Sequence, residues 1–348
     1  MTLGPLSPGK YWGMRRLADA SGRFTMLAVD QRPPIKAAVA RARGEVEARD
    51  TDVRAVKRLL IEQLSPQATA LLADPHWALA TALEIADPRA GLVVTLEDSE
   101  FEESDEGRIS QAIPHWSVEQ IKRSGGDAVK VLLWYRPDAP AFVCERQQAW
   151  AEEIGEQCKR YDIPFLLELL LYPFAQEAGA TTAYIESPSK RPELVVESVR
   201  TFADPRFGVD LFKLESPLPA AQLPAEPSAE TLHWFEALNE AAARPWVLLS
   251  AGVSAPEFAR VLTHAYAVGA SGFLAGRAIW AEALHHWPDA PRFAAHLAGP
   301  SRATFERFIG ITKAAALPWF AHPGYGSGGA RLAGRDAAME MQMARSMP

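Results

Sequence analysis

Two cysteines in 348 residues are too few for a disulfide framework. Cys144 and Cys158 fall in one helical stretch, fourteen residues and therefore roughly 21 Å apart along the axis, so they cannot bridge within the chain. They read as packed thiols of a reducing compartment. The eight histidines form no HxH or HExxH spacing and no CxxC occurs, so no protein-held metal is expected. His285 and His286 are neighbours on a helix and point in different directions. No apolar run approaches the ~20 residues of a bilayer span, which argues against a membrane protein. Lysine and arginine are scattered and the net charge is -7, so no basic stripe exists for nucleic acid. The opening Met1–Gly9 lacks the charged and apolar regions of a secretory signal. The cytoplasm is the expected compartment.

What remains is a chain with 48% hydrophobic residues, enough for a large core. Short apolar runs recur at 24–29, 68–73, 91–96, 128–134, 164–169, 209–214, 246–250 and 272–275. Helical patterns separate several of them, at 52–64, 139–161, 192–202, 229–243 and 256–268. Eight strands alternating with helices are the signature of an α/β (β/α)8 TIM barrel. A doubly wound sheet would place a GxGxxG loop after its first strand, where this chain has Asp30-Gln31-Arg32-Pro33-Pro34. We expect one barrel domain over 1–320 and a C-terminal tail over 321–348, small-residue rich and loosely held. The acidic loop 97–107 and the proline-rich, lid-like 217–227 read as additions to the barrel.

The informative residues are ionisable groups inside the apolar strands. Lys213 sits in Asp210-Leu-Phe-Lys-Leu-Glu-Ser-Pro217, sharing a strand face with Leu211 and Glu215. A lysine whose ammonium loses its water is driven toward the free amine, the form that attacks a carbonyl. Taken alone, a strand-end lysine more often snorkels to solvent or pairs with a carboxylate. Three further strands shift that balance, carrying Lys130, Glu168 and Asp30 among apolar neighbours. In a barrel the C-terminal strand ends converge on one mouth. Lys130 near Lys213 would depress the nucleophile's pKa by like-charge repulsion, Glu168 could move a hydroxyl proton, and Asp30 could hold an ammonium or a hydroxyl.

The last two strands end in Ser250-Ala251-Gly252 and in Gly276-Arg277, each before a helix. Such a pair of loops commonly holds a phosphate in this fold, with backbone N–H groups and, here, the Arg277 guanidinium.

In these residues the chain resembles the class I tagatose 1,6-bisphosphate aldolases and the related 6-deoxy-6-sulfofructose 1-phosphate aldolases. The motifs are MLAVDQR (26–32), HWSVEQIKRSGGDAVKVLLWY (115–135), IPFLLELLLY (163–172), FADPRFGVDLFKLESP (202–217), LLSAGVS (248–254) and GASGFLAGRAIW (269–280). The resemblance runs through most of residues 10–320. It implies a Schiff-base aldehyde-lyase that needs no cofactor or metal and cleaves a ketose 1-phosphate to dihydroxyacetone phosphate and an aldehyde. It places the imine lysine on Lys213, the second lysine on Lys130, the proton shuttle on Glu168, the first-strand acid on Asp30, and substrate contacts on Gln31, Arg32, Ser250, Ala251, Gly252, Gly276 and Arg277. A small-molecule sugar phosphate is then the expected partner, and a symmetric dimer or tetramer is expected on general grounds. The alternative of another class is a sugar-phosphate sensor or scaffold that kept the barrel without its chemistry.

Overall fold

The computed structural model describes every residue except 1, 178–180, 182–183, 188–189 and 335–348. Eight parallel strands close on themselves: β1 Phe24–Ala28, β2 Ala70–Ala73, β3 Gly91–Thr95, β4 Ala128–Trp134, β5 Phe165–Leu170, β6 Leu211–Leu214, β7 Trp246–Leu248 and β8 Gly272–Ala275. Each strand pairs with its sequence neighbours and β8 returns to β1, so the (β/α)8 barrel expected above is the fold. The helices fall where the periodicity predicts. They run over Asp50–Leu64, Ala141–Arg160, Pro192–Phe202, Ala229–Ala242 and Ala255–Ala267. Cys144 and Cys158 are both buried in the second of these.

Side-chain alternation divides the core into two layers. Val129, Val131 and Leu133 of β4, Leu167 of β5 and Phe212 of β6 point outward into the layer shared with the helices. Ala128, Leu166, Leu211, Val247 and Leu274 point inward and fill the lower barrel. One or two steps further up the same faces come Lys130, Glu168 and Lys213. The period of two alone therefore aims them into the barrel, toward its mouth.

The lower end is closed by Met14, Leu17, Phe24, Trp319 and Tyr325, all buried. The loosely held tail expected from 321 onward is, in its described part, pinned there. The Leu3 amide donates to the Gly324 carbonyl at 2.7 Å, the Leu6 amide to Arg331 at 2.8 Å, and the Ala333 amide to Leu6 at 2.7 Å. The remainder of that tail, 335–348, lies outside the described residues. The 217–227 segment also differs from expectation. It is ordered, but Ala220 and Leu223 bury their side chains and the Ala220 carbonyl accepts from Arg260, so it packs against the helix layer and is no lid. The acidic stretch folds as a two-stranded hairpin, Glu102–Ser104 with Gly107–Ile109. Arg108 locks it down, its guanidinium 5.0 Å from the Phe101 ring, 4.8 Å from Trp134 and 5.0 Å from Tyr172.

Helix Ala255–Ala267, which follows the β7 turn, starts from a reciprocal cap. Ser254 and Glu257 each accept from the other's backbone N–H. Ser254→Ala should cost about 1 kcal/mol in a urea titration. An unchanged midpoint would mean that tertiary packing alone fixes this helix start. Among the described residues no helix is long and apolar enough to cross a membrane.

Candidate active site

Strand register accounts for the central contact of the cleft. Glu168 of β5 and Lys213 of β6 are direct cross-strand partners, so their side chains rise side by side. Lys213 Nζ lies 2.9 Å from Glu168 Oε1, with both side chains more than nine-tenths buried. Lys130 of β4 pairs in register with Thr95 and Leu166, one pleat deeper than Glu168. From there its ammonium reaches three carboxylates: Glu97 Oε1 at 2.6 Å, Glu168 Oε2 at 2.7 Å and Asp30 Oδ2 at 3.2 Å. Thr95 Oγ1 donates to the same Asp30 oxygen at 3.2 Å.

This arrangement corrects the expected electrostatics. Direct repulsion of Lys213 by Lys130 is not what the geometry provides, because Glu168 stands between the two with one oxygen on each. Burial works against the Lys130 charge, but Glu168, Glu97 and Asp30 together hold its pKa well above the usual lysine value. Burial likewise works against an ionised Asp30, yet Lys130, Lys213 and Arg32 outweigh it and keep its carboxyl well below the ordinary range. Burial dominates at Glu97 and pushes its carboxyl up despite Lys130 and Arg32. Lys130 is thus a fixed cation under the floor of the site, and Glu168 is the carboxylate that faces the mobile end of Lys213.

The opposite rim is built by the turns after β7 and β8. Ala251 at φ 44° and Gly252 at φ 79° turn the chain sharply before the next helix. A Cβ on Gly252 would come 2.9 Å from Arg277 Nη1, and one on Gly276 would strike the Ala28 carbonyl at 2.5 Å. Glycine at both positions lets the two loops close around Arg277. Burial lowers the pKa of that guanidinium, against the pull of Glu168 and Asp30. Among the described residues Arg277 has no carboxylate partner, and it donates only to the Tyr184 carbonyl.

One cavity gathers Asp30, Gln31, Arg32, Lys130, Glu168, Lys213, Ser250, Ala251, Gly276 and Arg277. Gly252 stands behind it, against Arg277. Every site residue proposed from sequence therefore lies in or directly against one cleft. The lining groups not foreseen include Glu97, Ser99, Tyr184 and the apolar wall of Leu132, Leu170 and Leu249. Glu97 had a signal, since it ends an apolar strand just as Asp30 does. Tyr184 had none. Its loop carries no pattern, and its position depends on its hydroxyl donating to the Ser99 carbonyl at 3.0 Å and on packing against Trp134. Among the described residues no cluster of three or more His, Cys, Asp or Glu side chains could hold a metal ion.

Residues 24–282 match the sequence pattern of the DeoC/LacD family aldolases. The chain is 34% identical over 293 residues to the tagatose 1,6-diphosphate aldolase of Streptococcus agalactiae serotype V, covering 82% of this chain and 89% of that one. The chain belongs to the DeoC/LacD aldolase family. It is a carbon–carbon lyase. The Lactococcus lactis tagatose 1,6-diphosphate aldolase is 33% identical over 285 residues, 79% of this aldolase and 86% of that one. Among solved structures, an archaeal fructose 1,6-bisphosphate aldolase superposes with a TM-score of 0.54 at 18% identity, over 86% of this chain and 98% of that one. The fructose-bisphosphate aldolase of Plasmodium falciparum does so with a TM-score of 0.60 at 13% identity, over 93% and 97%. These two likenesses concern the fold of the aldolase.

Proposed function

We propose that the aldolase reversibly cleaves a ketose 1-phosphate to dihydroxyacetone phosphate and an aldehyde through an imine on Lys213. The observation that carries this is the register-fixed Glu168–Lys213 pair at 2.9 Å, beside Arg277, which has no carboxylate partner among the described residues. The Lys213 amine adds to the C2 carbonyl, and loss of water gives a protonated imine. Glu168 accepts the C4 hydroxyl proton while the C3–C4 pair flows into the imine, so the aldehyde leaves and an enamine remains. Protonation at C3 and hydrolysis return the amine and release dihydroxyacetone phosphate. The imine is itself the electron sink, so the chemistry needs no metal or cofactor.

Lys130 holds Glu168 in place and keeps Asp30 ionised. The turns at Ser250–Gly252 and Gly276–Arg277 receive the C1 phosphate through Arg277 and backbone N–H groups. The substrate's far end is a phosphate if it is like that of the tagatose enzymes, and a sulfonate if it is like the sulfofructose phosphate.

Incubation with dihydroxyacetone phosphate and borohydride, followed by peptide mass spectrometry, tests the reading. A reduced three-carbon phosphate adduct on Lys213 is expected. Adduct on another lysine, or none on folded protein that binds the phosphate, would remove Lys213 from the mechanism.

A further inference from the structure

Resting on the imine reading, we infer that Glu97 is a further catalytic residue: its Oε2–H donates to the substrate's C4 oxygen while Glu168 takes the proton of that oxygen. Three carboxyl groups meet over the Lys130 ammonium, and they are unequally provided for. Asp30 accepts from Lys130 and from Thr95 Oγ1, both at 3.2 Å. Glu168 holds Lys213 at 2.9 Å with one oxygen and Lys130 at 2.7 Å with the other. Glu97 has Lys130 at 2.6 Å on Oε1, and the Arg32 guanidinium lies 3.7 Å from that same oxygen. Its Oε2 is buried and has no hydrogen-bond partner among the described residues.

Carboxylates crowded around one cation resist ionising together, and a charged oxygen with no donor is the costliest of them. The shared proton therefore belongs on Glu97. Because Oε1 accepts from Lys130, the hydrogen sits on Oε2. Burial drives Glu97 the same way, raising its pKa against Lys130 and Arg32, and Asp30 adds to the rise. The remaining groups that face it do not oppose this. Burial pushes the Tyr184 phenol up to about 12, so it is neutral, and Asp98 is turned to Arg32 at 3.7 Å.

Register puts this hydrogen where the chemistry needs one. Glu97 follows Thr95, the partner of Lys130, by two residues, and Glu168 pairs with Leu132, two residues after Lys130. With β4 lying between β3 and β5, both carboxyl groups stand one step above the lysine, one on each side, and both line the cleft. A C4 hydroxyl set against Glu168 then has Glu97 as its neighbour. As Glu168 removes the proton, negative charge builds on the C4 oxygen until the C3–C4 bond breaks. A neutral carboxylic acid stabilises that charge without giving up its own proton. In the synthetic direction the same hydrogen bond polarises the aldehyde carbonyl for attack by the enamine.

Two reactions of the same protein separate this role from a structural one. Dihydroxyacetone phosphate alone, in deuterated water, exchanges its C3 hydrogen through the imine and enamine, with no C4 oxygen present. Condensation with glyceraldehyde 3-phosphate or its sulfonate counterpart, whichever reacts faster, adds that oxygen. Glu97→Leu should slow condensation by roughly 10²-fold and exchange by less than about threefold. Glu97→Gln supplies a carbonyl for Lys130 and an N–H donor, and should recover most of the condensation rate. The pH profile gives a second readout. Wild-type condensation should decline as the pH rises through the raised pKa of Glu97, since the ionised form has no hydrogen to donate, and Glu97→Gln should lack that decline. If the leucine variant does not fold, the glutamine profile decides. Equal slowing of both reactions, an unchanged decline in the glutamine variant, or wild-type exchange with no condensation overturns this inference and spares the imine reading. A wild type that forms no Lys213 adduct and exchanges no hydrogen overturns the imine reading and this inference with it.

Discussion

Lys213→Met will lower kcat by at least about 10⁴-fold and abolish borohydride trapping, with the protein still folded. Methionine keeps the length and apolar contacts of the lysine stem. Glu168 retains its Lys130 partner at 2.7 Å, so the substitution does not leave that buried carboxylate alone. On the proposed imine route what disappears is the amine that makes the covalent electron sink, and loss of a covalent nucleophile costs on the order of 10⁴ to 10⁶ in turnover. Lys213→Arg separates the two roles a buried cation could play here. Arginine restores positive charge opposite Glu168 at the register position shared by β5 and β6, but its guanidinium does not form an imine. Both variants should therefore be equally inactive in steady-state cleavage of a ketose 1-phosphate. Recovery of activity with arginine would mean that Lys213 acts only as a charge, and the covalent route would have to be abandoned.

The legible part of this site was the part written in periodicity. Lys130, Glu168 and Lys213 each interrupt an apolar strand at an inward step, and a period of two needs no tertiary knowledge. The barrel followed from the same eight runs, because apolar strands separated by amphipathic helices have few other ways to bury both faces. Glu97 was passed over because it also opens a run of many acids, which masked its place at the end of an apolar strand. Its inward turn is set by register: Thr95 pairs with Lys130, which carries Glu97 over the lysine. Tyr184 and the packed 217–227 loop depend on contacts far along the chain, and proline content says that a loop is ordered without saying where it lies. The supposed repulsion between two lysines failed for a related reason. A list of charges on strands does not reveal which carboxylate stands between them.

Lys130→Met should be the most damaging change after those at Lys213, and its pH dependence identifies the cause. It leaves Asp30, Glu97 and Glu168 buried around a missing cation, a situation that costs about 3–5 kcal/mol when one partner of a buried pair is removed. In the wild type two of these acids work in opposite senses. Asp30 is held below its unfolded value of roughly 3.9, so it adds stability above that pH and loses it as the pH falls. Glu97 is pushed above its unfolded value, so its contribution is complete in acid and fades as the pH rises. Without Lys130, burial is no longer opposed at Asp30 by its largest counter-charge, and both acids then favour the protonated form. The variant should therefore lose markedly more stability between pH 5 and pH 7 than the wild type, in which Asp30 stays ionised and Glu97 is the acid whose contribution fades. Urea titrations at the two pH values measure the difference directly. Activity should fall together with stability, because Glu168 loses the ammonium that positions its carboxylate. A variant as stable as the wild type at both pH values would show that the three carboxylates do not depend on Lys130, and the electrostatic floor described for this cleft would have to be assigned to other cations.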